Sequence, residues 1–133
     1  MQKMKKIFIA LAFLFIIFIG YSGYIYYLDN IKLPEMTPST TVEKYFEAVK
    51  SEDYKNAYAF VSQQYYHDSY NQFVDRMKTY STEMSVQITG ETINDTKASV
   101  TARIIVPMNF GPFTTESVID LVRDKREWKI LHP

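Results

Sequence analysis

The sequence predicts an α+β architecture: one N-terminal transmembrane helix, then a domain of three helices packed on a four-stranded antiparallel sheet. Three observations carry that prediction. Residues 7–28 hold no charge. Apolar side chains then recur at helical spacing in three blocks between residues 40 and 80, and from residue 84 the apolar period drops to two. Helices followed by a run of strands place the helices on one face of the sheet.

The first element is the uncharged segment IFIALAFLFIIFIGYSGYIYYL, residues 7–28. As a helix rising ~1.5 Å per residue it is roughly 33 Å long, enough for a hydrocarbon core of about 30 Å. Lys3, Lys5 and Lys6 stand on its N-terminal side only, which orients residues 1–6 toward the cytoplasm and the rest of the chain outside. Tyr21, Tyr24, Tyr26 and Tyr27 gather at the far end, where amphipathic rings suit a headgroup layer. The alternative is a secretory signal: residues 7–19 form a short apolar core, and Gly20-Tyr21-Ser22 is a small-x-small cleavage pattern that would release the protein near Ser22. The apolar run continues through Leu28, which favours a retained single-pass anchor in the cell membrane. Residues 29–39 carry Pro34 and Pro38 without an apolar period and read as a linker.

The domain proper is expected over residues 40–133. Thr40 and Glu43 have capping-box spacing, and Val42, Tyr45, Phe46 and Val49 then line one helical face. Ser51-Glu52-Asp53 breaks the pattern and caps a second helix with Tyr54, Ala57, Tyr58, Val61 and Tyr65 on one side. Ser69 and Gln72 form another capping box, before a stripe of Tyr70, Phe73, Val74, Met77 and Tyr80. Met84, Val86 and Ile88 open a strand, Asn94-Asp95-Thr96-Lys97 is turn chemistry, and Ala98, Val100, Ala102, Ile104 and Val106 mark the clearest strand. PMNFGP, residues 107–112, cannot continue a central ladder and reads as a loop. Residues 113–123 give a third strand, Asp124-Lys125-Arg126 a turn, and residues 128–131 a short last strand.

Composition excludes much of the usual chemistry. The 133 residues allow one modest domain, and the lack of cysteine removes disulfides, thiolate metal sites and a Cys nucleophile. Past the three N-terminal lysines, 12 basic side chains face 15 acidic ones, a net of −3, which argues against nucleic acid as a partner. Two histidines, His67 and His132, give no zinc spacing, and there is neither a phosphate-cradling glycine loop nor a serine nucleophile motif. No cofactor is implied. Asn94-Asp95-Thr96 fits a glycosylation acceptor, a short match that a turn explains equally well.

The order of these pieces resembles a known family. A helix Val42-Glu43-Lys44-Tyr45-Phe46-Glu47-Ala48-Val49, the break Ser51-Glu52-Asp53-Tyr54, a helix from Asn56-Ala57-Tyr58, a third carrying Phe73 and a closing Glu127-Trp128-Lys129-Ile130 are similar to the nuclear transport factor 2-like (cystatin-like) superfamily. The likeness is to extracytoplasmic Gram-positive members such as the N-terminal domain of methicillin-resistance-type transpeptidases. It spans residues 40–133 and implies a cone-shaped domain with a curved sheet. The superfamily hosts enzymes, binders and scaffolds alike.

Superfamily enzymes place acid–base groups inside the cone, which makes Tyr45, Tyr58, Phe73 and Asp120 the candidate pocket residues here. Asp120 alternates with Val118 and Val122; it is a pocket carboxylate if that face is concave and an ordinary exposed residue if it is not. His67-Asp68 has the residue types of a catalytic pair but reads more simply as a solvated loop. The aromatic side chains could line a ligand pocket or simply fill the core, and Tyr65, Tyr66 and Tyr70 form a candidate aromatic interface. The expectation is a membrane-anchored, extracytoplasmic, non-catalytic interaction or accessory module with an envelope protein partner. The resemblance also implies two alternatives: a component of a secretion or conjugation channel, and a small-molecule binder or lyase/isomerase-type enzyme using the cone pocket.

Overall fold

The computed structural model describes residues 2–30 and 36–133, with side chains described over 11–28 and 36–133. Residues 31–35, in the middle of the expected linker, lie outside the described residues, as do the side chains of the three N-terminal lysines. Contacts divide the chain into two units, Met1–Leu33 and Pro34–Pro133.

The first unit is helix α1, Gln2–Asn30. Its stretch Leu11–Leu28 is long and apolar enough to cross a membrane, and none of that stretch is buried by the rest of the protein. A helix whose Phe13, Ile16 and Tyr26 are all about two-thirds exposed has no face set aside for a protein core. A membrane span and a signal sequence both fit this helix.

The second unit holds α2 (Pro38–Lys50), α3 (Tyr54–Ala59) and α4 (Tyr70–Met77), then β1 (Ser85–Asn94), β2 (Lys97–Val106), β3 (Phe113–Asp124) and β4 (Glu127–Ile130). The strands pair antiparallel in the order β1-β2-β3-β4, an open meander. Register sets the two faces. Ala98 pairs Leu121, Val100 pairs Ile119, and Leu121 pairs Ile130, so these residues share the inner face. That face packs against Val42, Tyr45, Phe46 and Val49 of α2 and Phe73 and Met77 of α4 in one buried core. The register of β1 shifts between Ile88 and Gly90. A bulge of that kind bends the strand and increases its local twist.

Three local readings differ from the sequence expectation. Helix α2 starts at Pro38 rather than after Thr40: Thr37 is the N-cap, and its hydroxyl accepts from the Thr40 amide at 3.1 Å. Proline at the first helical position brings no amide to satisfy and a preset φ, so the earlier start is favoured. Helix α3 ends at Ala59 and does not reach Val61 or Tyr65. There the backbone turns to the sheet: the Ile130 amide donates to the Phe60 carbonyl and the Ser62 amide to the Ile130 carbonyl, both at 2.8 Å, around a parallel Val61–Ile130 bridge. Pairing with the last strand wins over continued helical spacing in a segment too short to be stable as a helix alone. Tyr80 lies beyond the end of α4 and is 40% exposed. The Ser69–Gln72 capping box forms with both reciprocal hydrogen bonds.

Two long-range polar contacts tie α2 and α3 to the sheet. One Glu91 carboxylate oxygen accepts from the Ser39 amide at 2.8 Å and the Ser39 hydroxyl at 2.5 Å. A carboxylate on the orphan amides of a helix start also meets the positive end of the helix dipole. At the other sign, Lys129 Nζ donates to the Ala59 carbonyl at 2.8 Å, a cation on the last residue of α3.

Candidate interaction site

The interior of the helix–sheet unit is filled. Phe73, Met77, Met84, Leu121 and Ile130 are all under 2% exposed, and the buried polar side chains among the described residues are Thr41 and Ser62. Thr41 is satisfied locally, its hydroxyl donating to the Thr37 carbonyl at 3.0 Å.

The four candidate pocket residues separate into two places. Tyr45 is buried and its hydroxyl donates to Met77 Sδ at 3.0 Å. Burial pushes that hydroxyl well above the ordinary tyrosine range, Tyr80 and Tyr66 add to the effect, and Arg76 opposes it, so Tyr45 stays protonated. Phe73 is fully buried, with the half-buried Tyr58 ring against it at 5.1 Å. Asp120 is not with them. It lies on the exposed outer face with the 65% exposed Val118, and accepts from the Ser99 hydroxyl at 2.7 Å. The inward face of β3 is the one carrying Ile119 and Leu121, so the concave-face reading of Asp120 fails. Leucine and isoleucine outcompeted the valines for the core side, a choice that alternation alone leaves open.

A tighter polar arrangement sits where the segment before α4 folds back on that helix. Tyr66 donates to Asp68 Oδ2 at 2.9 Å, Arg76 of α4 donates to the same oxygen, and the Tyr58 hydroxyl donates to the Asp68 carbonyl at 3.1 Å. The Arg76 guanidinium also lies 5.7 Å from the Tyr66 ring centre, within cation–π range. Burial together with the hydrogen bond to Asp68 pushes the Tyr66 hydroxyl up to about 12. Asp68 thus joins three elements and is no free loop residue, whereas its neighbour His67 is exposed. Arg76 carried no signal in the sequence, because eight residues and a helix start separate it from Asp68.

The aromatic interface is brought together only in part. Tyr65 and Tyr70 are 48% and 42% exposed, but Tyr66 is 8% exposed and stacks edge-on against Phe73 at 6.2 Å. The amides of Tyr65 and Tyr66 both donate to the Ser62 carbonyl, a turn that points successive side chains in different directions. Tyr70 in turn packs edge-on against Tyr58 at 5.4 Å. Tyr70 is therefore an exposed ring backed by Tyr58, which packs in turn on Phe73, while Tyr65 is exposed at the turn before it. A shallow depression of about 440 Å³ beside it is lined by Tyr58, Val61, Gln63, Gln64 and Lys129 among others.

Among solved structures, the chain is similar to a SEC-C motif containing protein from Psychrobacter arcticus, with a TM-score of 0.58 and 13% identity over 83% of this chain and 67% of that one. It is also similar to an NTF-2 like protein of unknown function from Shewanella oneidensis MR-1, with a TM-score of 0.55 and 13% identity over 70% of this chain and 90% of that one. The fold is NTF2-like. An NTF2-like transpeptidase from Campylobacter jejuni overlaps at a TM-score of 0.49 and 18% identity, over 73% of this chain and all of that one. No family model matches the sequence, and no curated protein does either. In this fold the space between helices and sheet is occupied by the domain's own side chains, and Tyr65 and Tyr70 are exposed outside it.

Proposed function

We propose that the protein is a membrane-anchored, extracytoplasmic interaction module that presents its NTF2-like domain to a protein partner in the cell envelope. The filled cone carries this reading. A binder or lyase of this fold needs room and an acid–base group inside, whereas this interior holds Phe73, Met77, Met84 and Leu121, with Asp120 on the outer face. The exposed Tyr65 and Tyr70, the latter backed by Tyr58, supply the kind of aromatic surface that interfaces favour. Helix α1 supplies the anchor, with the domain on the side opposite the lysines.

A photo-crosslinking amino acid at Tyr65 or Tyr70 of the full-length chain, irradiated in intact membranes, tests the reading. A discrete adduct at both positions, absent when the probe replaces Thr92 on β1, supports it. Adducts at neither, with the protein folded and membrane-bound, would overturn it and return attention to ligands.

A further inference from the structure

The loop joining β2 to β3 is an apolar finger with no place in the fold. Phe110 is 104% exposed and Met108 61%, and Phe113, which opens β3 opposite Val106, is 55% exposed. The Gly111 amide donates to the Met108 carbonyl at 3.1 Å, closing a turn with Asn109 and Phe110 at its tip, and Gly111 takes a φ of 112° that suits glycine. Pro107 and Pro112 bracket the turn, so its shape is set before anything binds. From Ile104 through Thr115 the chain carries no charge.

We propose that this finger is a second membrane contact, inserting Phe110 and Met108 into the interfacial layer of a lipid bilayer. The area decides between lipid and a second copy. Three side chains at these exposures offer on the order of 400 Å², against roughly 800 Å² per partner in a stable protein interface. A bilayer sets no such threshold when another part of the chain is already anchored, because tethering makes the second contact intramolecular. This step rests on the membrane-anchored reading of α1. Seven Cα steps separate Asn30 from Thr37, a reach of at most ~25 Å. The Ser39–Glu91 contact fixes the start of α2 at the level of Val100, and the six residues from there to Val106 span roughly 20 Å. The finger is therefore within range of a surface that holds α1. The lack of charge makes the contact hydrophobic and indifferent to headgroup sign.

The test uses the full-length chain in vesicles of phosphatidylcholine, with and without phosphatidylglycerol. The natural sequence has no cysteine, so Asn109→Cys carries a single environment-sensitive NBD label and leaves Met108, Phe110 and Phe113 in place. Blue-shifted emission quenched by spin-labelled lipid, equal in the two vesicle types and absent for a label at Thr92→Cys, is the expected result. Adding Phe110→Ser and Phe113→Ser should cut the quenching roughly tenfold. An unquenched label on protein that resists carbonate extraction overturns the finger alone. Protein released by carbonate overturns the anchored reading and the finger with it. A lipid-free shift that grows with the concentration of full-length protein in detergent assigns the finger to a second copy instead.

Discussion

The two ends of the sheet use apolar and polar residues in opposite ways. At the end carrying the Asp95 and Lys125 turns, every element is tied down. Glu91 holds the start of α2, Lys129 holds the end of α3, and the Phe60–Ser62 backbone is laced to Ile130. At the other end, β2 and β3 are joined by a loop whose Met108 and Phe110 side chains touch solvent. The first end has been built for stability, where helix termini must find partners or leave buried polar groups unpaired. The second has apolar side chains of the kind a core uses but without the burial, so they add little to the folding of this domain.

Substitutions at the two ends should therefore separate stability from binding. The largest effect belongs to the centre of the core. Phe73→Ala removes a fully buried ring that supports Tyr58 and Tyr66, and should cost about 3–5 kcal/mol. For a domain of this size that is much of the total stability, and a urea melt of the folded protein will read it.

Glu91→Ala comes next, removing both hydrogen bonds to Ser39 and a negative charge at a helix start, for about 1–2 kcal/mol. If the tied end is as described, Ser39→Ala in the same background adds little further, because the two share one interaction. Thermal melts of the two single variants and the double variant make that cycle.

The Tyr66–Asp68 bond gives a test with a pH axis. Tyr66→Phe should cost about 1 kcal/mol at neutral pH through the lost hydrogen bond. The Tyr66 hydroxyl is raised in the folded state, so the stability it contributes is complete below pH 10. It is lost as pH climbs from the ordinary tyrosine value toward about 12. The gap between natural and variant proteins should close over that interval.

Much of this organisation was legible in sequence because it is local. The Ser69–Gln72 box, the Asp53 cap and the alternation of Ala98, Val100 and Ala102 each rest on residues within a few positions of one another. What escaped was long-range. Glu91 looks like an ordinary strand carboxylate until Ser39, 52 residues earlier, is placed against it. Helix α3 stops where Ile130 arrives from the far end of the chain, and Tyr66 turns inward to donate to an Asp68 oxygen that Arg76, from α4, also donates to. Asp120 turned on which face of β3 won the core, and alternation fixes only that successive residues differ.

A smaller gain is expected from Glu52→Gly. Glu52 follows the end of α2 with φ 60°, its amide donating to the Val49 carbonyl while the Asp53 amide donates to Ala48, the paired bonds of a Schellman stop. Glycine takes that conformation without steric cost, so the variant should gain about 0.5–1 kcal/mol in the same melts. Because the change sits on the helix side, membrane quenching at position 109 should be unaffected.

The smallest expected effect is also the one that most sharpens the comparison. Phe110→Ser should move the unfolding midpoint by no more than about 0.5 kcal/mol, since the ring touches nothing whose loss would be felt. In the core the same change in apolar area would be severe, as Phe73 illustrates. A stability change of more than ~1 kcal/mol at Phe110 would mean that the finger packs on the domain in solution and is a late part of its core. A neutral melt together with lost lipid contact would place Phe110 outside the folding requirement altogether, leaving a residue that an exposed turn carries at a standing risk of aggregation.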